Sequence, residues 1–443
     1  MEHFDVIVVG GGPAGFNAVK AVRSLYPEKR VLVLNDREDL QIPCSIPYVV
    51  AGLLKPEDNR YPVKKLAELG ATLLFERVVS VNPQESRIFT ESGKLYSYDR
   101  LVLATGWLPR RLPVEGTDLE GVYYIDNSTE AVINLVKEVA SAKRIAIVGG
   151  GFISIGFADL ISRFLKKEIT VIEASHRIGS GVFSGDFESE MTSLLESAGV
   201  RVLKGAKVTT LEGSGRVEAV LLEGGERIEA DLVLIFIGFL PNSKLAVDAS
   251  LKVDRGFVVV DRFLRSSVDN ILAAGNVALH YSAVDGAPWP GMVASVSARD
   301  GRIAGANTAG PVVEDRGIVP AGVTEVGGRF FGFAGYTQEL LSGKGFDFKK
   351  CGVTSADAYP KAIGAKPLKL DLYFLKGSGR LVGAEVEASS RYVAPLVDLV
   401  AGLVERGITA YELLSKVSVA FPPVTPPPLL QPLQEAALAF LRS

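Results

Sequence analysis

The chain has 443 residues, 47% of them hydrophobic and 22% charged, and its 48 Lys and Arg against 51 Asp and Glu give a formal net charge of −3. That length holds two or three domain cores, and the near balance of charge excludes the basic surface that nucleic acid or an anionic membrane requires. Two cysteines, Cys44 and Cys351, make no disulfide framework, and with no CxxC and no His cluster there is no metal site. Met1-Glu2-His3-Phe4 carries no basic leader and the apolar run Leu232 to Leu240 is too short to span a bilayer, so a cytoplasmic protein with no membrane partner is expected.

Phe4 to Val9 (FDVIVV) is a β-branched, apolar run of the kind that forms a strand buried on both faces. It ends in Gly10-Gly11-Gly12-Pro13-Ala14-Gly15. Gly10, Gly12 and Gly15 keep the GxGxxG spacing, whose glycines permit a tight turn and let a pyrophosphate reach the N-terminus of the next helix. Phe16 to Leu25 supplies that helix and Arg30 to Leu34 a second strand, so a dinucleotide is expected here. A carboxylate usually ends the second strand and holds the adenosine ribose. Asn35 stands at that point, followed by Asp36; the Asn side chain can donate to and accept from a ribose, and it is equally an ordinary turn former.

Ile42 to Gly52 (IPCSIPYVVAG) places Cys44 where a helix begins, since a proline so early fits a first helical turn and Gly52 fits a C-terminal cap. A thiol there feels the positive end of the helix dipole, so a lowered pKa is expected. Cys44 is therefore a candidate nucleophile, with a buried structural cysteine as the alternative.

Leu101 to Trp107 (LVLATGW) is a strand entering Ala104-Thr105-Gly106. Lys143 to Val148 (KRIAIV) followed by Gly149-Gly150-Gly151 repeats the first strand and turn, and Ile169 to Ile172 leads into Glu173. A carboxylate there binds two ribose hydroxyls and repels a 2′-phosphate, which favours NADH, while His176 and Arg177 nearby leave NADPH tolerated. The third glycine of this turn is replaced by Ser154, which is expected to loosen the packing of helix on strand. Asp231 to Asn242 (DLVLIFIGFLPN), with Gly238 at its turn, leads the chain back out of this second unit. Arg255 to Val260 and Ser267 to Ala278 (SVDNILAAGNVA) then rebuild the first, and Gly291 to Gly305 reads as a helix. From about Pro320 the pattern turns to strands with Gly-rich corners, then helices from Arg391 to Glu405 and Ala410 to Leu414. Pro422 to Pro428 should be extended, and Leu433, Ala436, Ala437, Phe440 and Leu441 fall on one helical face, fit for docking onto a second copy. His3, His176 and His280 read as surface or loop residues, and Cys351 as a structural thiol.

With the Gly-rich turns and the cysteine, the ATG and AAGN segments resemble those of the FAD-dependent pyridine nucleotide-disulfide oxidoreductases, along essentially the whole chain. More narrowly the chain resembles the single-cysteine branch that holds coenzyme A-disulfide reductases, NADH oxidases and NAD(P)H sulfur or persulfide reductases. The fold implied is α/β, with two Rossmann-like dinucleotide-binding domains (FAD and NAD(P)H) plus a C-terminal α+β dimerisation domain. The FAD-binding domain would be discontinuous over 1–112 and 250–315, the NAD(P)H-binding domain would span 113–249 and the dimerisation domain 320–443.

The resemblance implies that Ala104, Thr105, Gly106, Gly275 and Asn276 line the flavin, that Cys44 sits beside it, and that the helix entered at Met292 and Val293 points at its pyrimidine ring. Gly149, Gly151, Phe152, Ile153 and Glu173 would serve NAD(P)H, Gly238 would join the cofactor-binding residues, and Phe152 would either cover the flavin or pack in the core. Departures accompany the match. Asn276 replaces the family's aspartate, Gly156 replaces a glutamate near the nicotinamide, and Pro13 stands where oxygen- and peroxide-reducing members carry a histidine; proline transfers no protons. Tyr359, in the Tyr359-Pro360-Lys361 segment, matches a substrate-side tyrosine, whereas Phe421 stands where other members keep an acid near the C-terminus. Lys20 and Arg23 on the first helix are either contacts to coenzyme A phosphates or the charges of a solvated face.

The function implied is a homodimeric FAD enzyme that takes electrons from NAD(P)H and reduces a small sulfur substrate (coenzyme A disulfide, persulfide or polysulfide) through Cys44, held as a mixed disulfide. Two alternatives stand beside it: an NADH oxidase reducing oxygen, and a flavin redox sensor or electron carrier with little NAD(P)H turnover.

Overall fold

The computed structural model describes residues 1–179, 181–360 and 364–442. The apolar run at the N-terminus forms the strand Glu2–Val9, whose last residues are all buried because parallel neighbours flank it on both edges. Those neighbours are Val31–Asn35, itself beside Thr72–Phe75, and Leu95–Leu103. The strand Leu95–Leu103 forks. Its first half takes the antiparallel pair Arg87–Thr90 and Val78–Asn82, while Leu101 to Leu103 pair in parallel with Ile271–Ala273. That pairing returns residues from far along the chain to the first sheet.

The second sheet is wholly parallel, in the order Val200–Lys204, Glu168–Glu173, Arg144–Val148, Leu232–Ile235, Val122–Tyr124. Two short antiparallel strands, Trp107–Pro109 and Phe239–Pro241, carry the chain out of the first unit and back, and the Trp107 and Phe239 rings meet at 4.1 Å between centroids. The third sheet is antiparallel, Ala321–Val326, Arg329–Gly335, Leu381–Ala388, Pro367–Leu375 and Phe348–Ala356, with the helices Val393–Glu405 and Pro432–Leu441 packed on it, so the face of Leu433, Ala436, Ala437 and Phe440 expected to dock onto a second copy is instead buried against this chain's own sheet. The expected α/β architecture with a C-terminal α+β unit is therefore what folds. Among the described residues no helix is long and apolar enough to cross a membrane, and no group of three or more His, Cys, Asp or Glu could hold a metal ion.

The internal repeat extends to backbone angles: Gly10 has φ +105° and Gly149 φ +104°, a region that favours glycine. It fails at the third glycine. A Cβ on Gly15 would lie 1.8 Å from the Gly10 carbonyl oxygen, while Ser154 carries one at the matching place, its hydroxyl buried without a hydrogen-bond partner. Two residues further, Gly156 sits inside the helix Phe152–Leu165 with open space where a side chain would start. Gly156→Ala is accordingly expected to stabilise the protein by about 0.5–1 kcal/mol through helix propensity, read as a rise in the thermal unfolding midpoint; a fall would mean that this gap is needed.

Candidate active site

The first glycine turn is built around its own backbone. Helix Pro13–Leu25 starts at Pro13, where the missing N–H costs nothing, and Gly10 comes so close to the Ala104 carbonyl that a Cβ would stand 2.3 Å from it. Gly12, by contrast, faces open space and the first turn of the helix holds no acidic side chain. A bare cradle at the positive end of a 13-residue helix fits the pyrophosphate of FAD. Asn35 closes the turn from behind: its Oδ1 accepts from Gly11 N–H at 2.7 Å and its Nδ2 donates to the Arg37 carbonyl at 2.5 Å. Both halves of the amide are thus committed to the chain itself. Asp36 is the exposed group, 3.3 Å from Arg77, and it lines a cleft of about 370 Å³ with Phe75, Glu76, Arg77, Glu91 and Ser92.

Across the turn, Ala104, Thr105 and Gly106 are clasped by the returning chain. Thr105 Oγ1 donates to the Asn242 carbonyl at 2.6 Å, Asn242 Nδ2 donates back to the Thr105 carbonyl at 3.2 Å, and Asn242 N–H meets Gly106 at 3.0 Å. Gly106 and Gly238 take φ of +74° and +98° on either side of this clasp. The PN at the end of the second unit therefore secures the Ala104-Thr105-Gly106 segment, a role for Asn242 that its turn-like sequence did not disclose.

On the other wall, Gly275 has φ +76° and its N–H donates to Asp300 Oδ2 at 3.1 Å, while Asn276 Oδ1 accepts from Ser297 Oγ at 2.8 Å. Ser297 and Asp300 belong to the helix Ala294–Ala306, which starts after Met292 and Val293 rather than at Gly291. Val293 caps that helix with its side chain exposed. His280, expected at the surface, is buried: its Nε2 lies 2.5 Å from Asp300 Oδ2. The apolar Val277-Ala278-Leu279 run before it is the one local signal of that burial, and His280 itself opens the short strand His280–Tyr281.

In the second turn Gly151 faces open space like Gly12. Glu173 accepts from Gly150 N–H through Oε2 and from Ser175 N–H at 2.7 Å through Oε1, the counterpart of Asn35 in the first turn. Arg177, expected near the nucleotide, instead donates to Glu339 of the C-terminal unit at 2.6 Å, and His176 lies exposed beside Gly205. The ring of Phe152 stands 6.3 Å from those of Phe183 and Phe333, so it packs between the second unit and the third sheet; Ile153 beside it is half-buried.

Cys44 departs from expectation. The helix splits into a 3-10 turn, Pro43–Ser45, and a five-residue helix, Ile46–Val50, because Pro47 interrupts the hydrogen-bond ladder. So short a helix carries little dipole. The thiol surface is open, yet the surrounding chain desolvates the sulfur enough to push its pKa up, against a smaller lowering by a backbone hydrogen bond. The expected depression is thus corrected to a rise. Alkylation of Cys44 by iodoacetamide should accelerate about tenfold per pH unit and show no plateau below about pH 8.5; a plateau near neutrality would contradict the desolvation argument. The helix is anchored through Ile46, Val49 and Val50 in the core of the second unit. Tyr48, one turn after the thiol, is pushed up by burial and then by Glu325 and Asp159.

The remaining candidates separate. Arg23 donates to the backbone carbonyls of Leu69, Pro27 and Lys29, so its guanidinium is spent on closing loops and the phosphate reading is corrected for it. Lys20 stays exposed. Tyr359 is half-buried on the C-terminal unit, its N–H donating to the Pro422 carbonyl at 2.8 Å, next to exposed Phe421. Lys361 of the same segment lies outside the described residues. Among the described residues no hydrogen bond joins Tyr359 to Cys44 within one chain. Cys351 is buried in the third sheet, opposite Leu372.

The family profile of the pyridine nucleotide-disulphide oxidoreductases matches residues 4–309. An NAD(P)H sulfur oxidoreductase (CoA-dependent) of Pyrococcus furiosus is 30% identical over 441 residues, spanning 96% of this chain and 97% of its own. An NADH oxidase of Methanocaldococcus jannaschii is 26% identical over 434 residues, spanning 95% of each. Among solved structures, an NAD-dependent persulfide reductase from A. fulgidus superposes with a TM-score of 0.90 at 25% identity, covering 99% of this chain and 83% of that one.

Proposed function

The chain belongs to the pyridine nucleotide-disulphide oxidoreductases, and on that premise we propose that its electrons end on sulfur, delivered through Cys44. It is an NAD(P)H-dependent flavin oxidoreductase with FAD and NAD(P)H as cofactors. The finer reading is a reductase of coenzyme A disulfide, persulfide or polysulfide. Its main support is the asymmetry of the two thiols: Cys44 is open to solvent on an anchored turn, and Cys351 is sealed in a sheet. The Pyrococcus furiosus relative named as a CoA-dependent sulfur oxidoreductase adds to it.

Bound along the first glycine turn, the flavin would supply a two-electron relay between nicotinamide and sulfur. Gly10, Gly12, Pro13, Ala14 and Gly15 would hold its pyrophosphate. Asp36 would meet the adenosine ribose in place of the committed Asn35, and Ala104 to Gly106, Gly275, Asn276, Met292 and Val293 would line the rest. Gly149, Gly151 and Glu173 would bind NADH, the Glu173 carboxylate keeping acceptor lone pairs beyond the two N–H groups it already meets, and the engagement of Arg177 with Glu339 supports NADH over NADPH. The thiolate of Cys44 attacks one sulfur of the substrate, the S–S bond breaks, one half leaves as a thiolate with the bonding pair, and the other half stays on Cys44 as a mixed disulfide. With Cys351 buried, no second thiol of the chain resolves that disulfide, so an electron pair from the cofactors must.

Tyr359 would donate to the leaving sulfur from a second copy, in a homodimer formed through the C-terminal unit. The exposure of Val417, Val419, Phe421 and Leu429 supports such a seam. Anaerobic NADH oxidation assayed with coenzyme A disulfide and with polysulfide, beside aerobic oxidation without either, tests the reading. Turnover that depends on a sulfur acceptor supports it; turnover driven by oxygen alone supports the oxidase function borne by the Methanocaldococcus jannaschii relative, and negligible turnover the sensor.

A further inference from the structure

Several buried acids of this chain join one domain to another: Asp159 reaches Gly327, and Glu385 reaches Ser184. One joins two walls of the same site. Asp300 is 0% exposed on the helix Ala294–Ala306; its Oδ2 accepts from Gly275 N–H at 3.1 Å and faces His280 Nε2 at 2.5 Å, and its Oδ1 lies 3.2 Å from Arg299 Nη1. His280 is 1% exposed and its Nδ1 has no hydrogen-bond partner. That nitrogen is pressed against Gly291, where a Cβ would stand only 2.7 Å away.

A buried carboxylate is tolerated only when its lone pairs are met, so Asp300, His280 and the Gly275 N–H depend on one another. Ser297, one turn earlier on the same helix, holds Asn276, so the helix grips two successive residues of the turn. The imidazole then fills the space between that turn and Gly291, the residue leading into Met292 and Val293.

We infer that His280 and Asp300 are positioning residues for the flavin, a buried acid–base pair that sets the separation between the Gly275–Asn276 turn and the Met292–Val293 entry to the helix. The inference rests on the assignment of these two segments to FAD. It gives His280 and Asp300 a role that their separation in sequence from the first glycine turn conceals. It also explains why position 291 is a glycine whose φ is unremarkable: the imidazole occupies the space of its side chain.

The test compares wild-type holoenzyme with Asp300→Asn, His280→Gln and Gly291→Ala. The readouts are FAD release on dilution, followed by the gain of flavin fluorescence, the visible absorption envelope and midpoint potential of the bound flavin, and the thermal unfolding midpoint. Asp300→Asn and His280→Gln are expected to release FAD at least about tenfold faster, as for the loss of one charged hydrogen bond, Gly291→Ala is expected to speed release through displacement of the imidazole, and all three are expected to shift the absorption envelope and potential. Gly291→Ala keeps the pair itself and pushes on the ring, so it decides the matter if the other two do not fold. Release rates and potentials equal to wild type, with only the thermal midpoint lowered, would overturn the inference and leave the pair a structural one. A wild-type protein that binds no FAD would instead overturn the flavin assignment, and the inference with it.

Discussion

Cys44→Ala is expected to lose at least about a thousandfold in NADH-dependent reduction of coenzyme A disulfide or polysulfide, while NADH still reduces the bound flavin at the wild-type rate. The substitution is a clean one. The thiol is open to solvent, and the helix beyond it is held by Ile46, Val49 and Val50, which the change leaves untouched. Cys351→Ala should do the reverse, costing about 1 kcal/mol of stability through a small buried cavity and nothing in turnover. Stopped-flow flavin reduction beside steady-state turnover separates the two half-reactions. Equal loss of both in Cys44→Ala would mean that the residue serves the fold or the flavin rather than the acceptor.

Gly12→Ala and Gly15→Ala are expected to fail in opposite ways. At Gly12 a Cβ meets no atom of the chain within 4 Å and the backbone, at φ −68°, accepts any residue. The protein should therefore fold with an unchanged apoprotein unfolding midpoint and bind FAD at least about tenfold more weakly, because the methyl fills the space a pyrophosphate needs at the helix N-terminus. At Gly15 a Cβ would stand 1.8 Å from the Gly10 carbonyl oxygen, which is backbone and cannot turn aside. Helix and strand must part there, at about 3 kcal/mol or more, and flavin is lost with the fold. Flavin content as isolated and the apoprotein melting curve distinguish them. A Gly12→Ala protein with wild-type FAD affinity would show that the turn holds no pyrophosphate.

The two Rossmann-like units were legible in the sequence because their determinants are local: an apolar β-branched run, a glycine turn whose first two glycines keep a fixed spacing in both units (the third is Gly15 in the first and Ser154 in the second), and a polar residue at the end of the second strand. The same locality made Glu173 and Asn35 legible as positions, though not the fact that both fasten the turn behind them through Gly150 and Gly11. What was illegible depends on partners far along the chain. Arg23 looks like a free charge until the carbonyl of Leu69 is placed beside it, and Arg177 looks like a phosphate ligand until Glu339 is. His280 looks like a loop residue until Asp300 arrives on its helix. The thiol pKa was misjudged for another reason: the dipole argument needs a long helix, and Pro47 left a short one.

The most direct test of the central claim is an anaerobic NADH titration of holoenzyme that has first been treated with coenzyme A disulfide and freed of the excess, for wild type and Cys44→Ala. If Cys44 carries the substrate half as a mixed disulfide, wild type takes up more than one NADH per flavin before the titration ends, and Cys44→Ala takes up one. Equal uptake by the two proteins, or flavin that stays oxidised in excess NADH, would contradict the account.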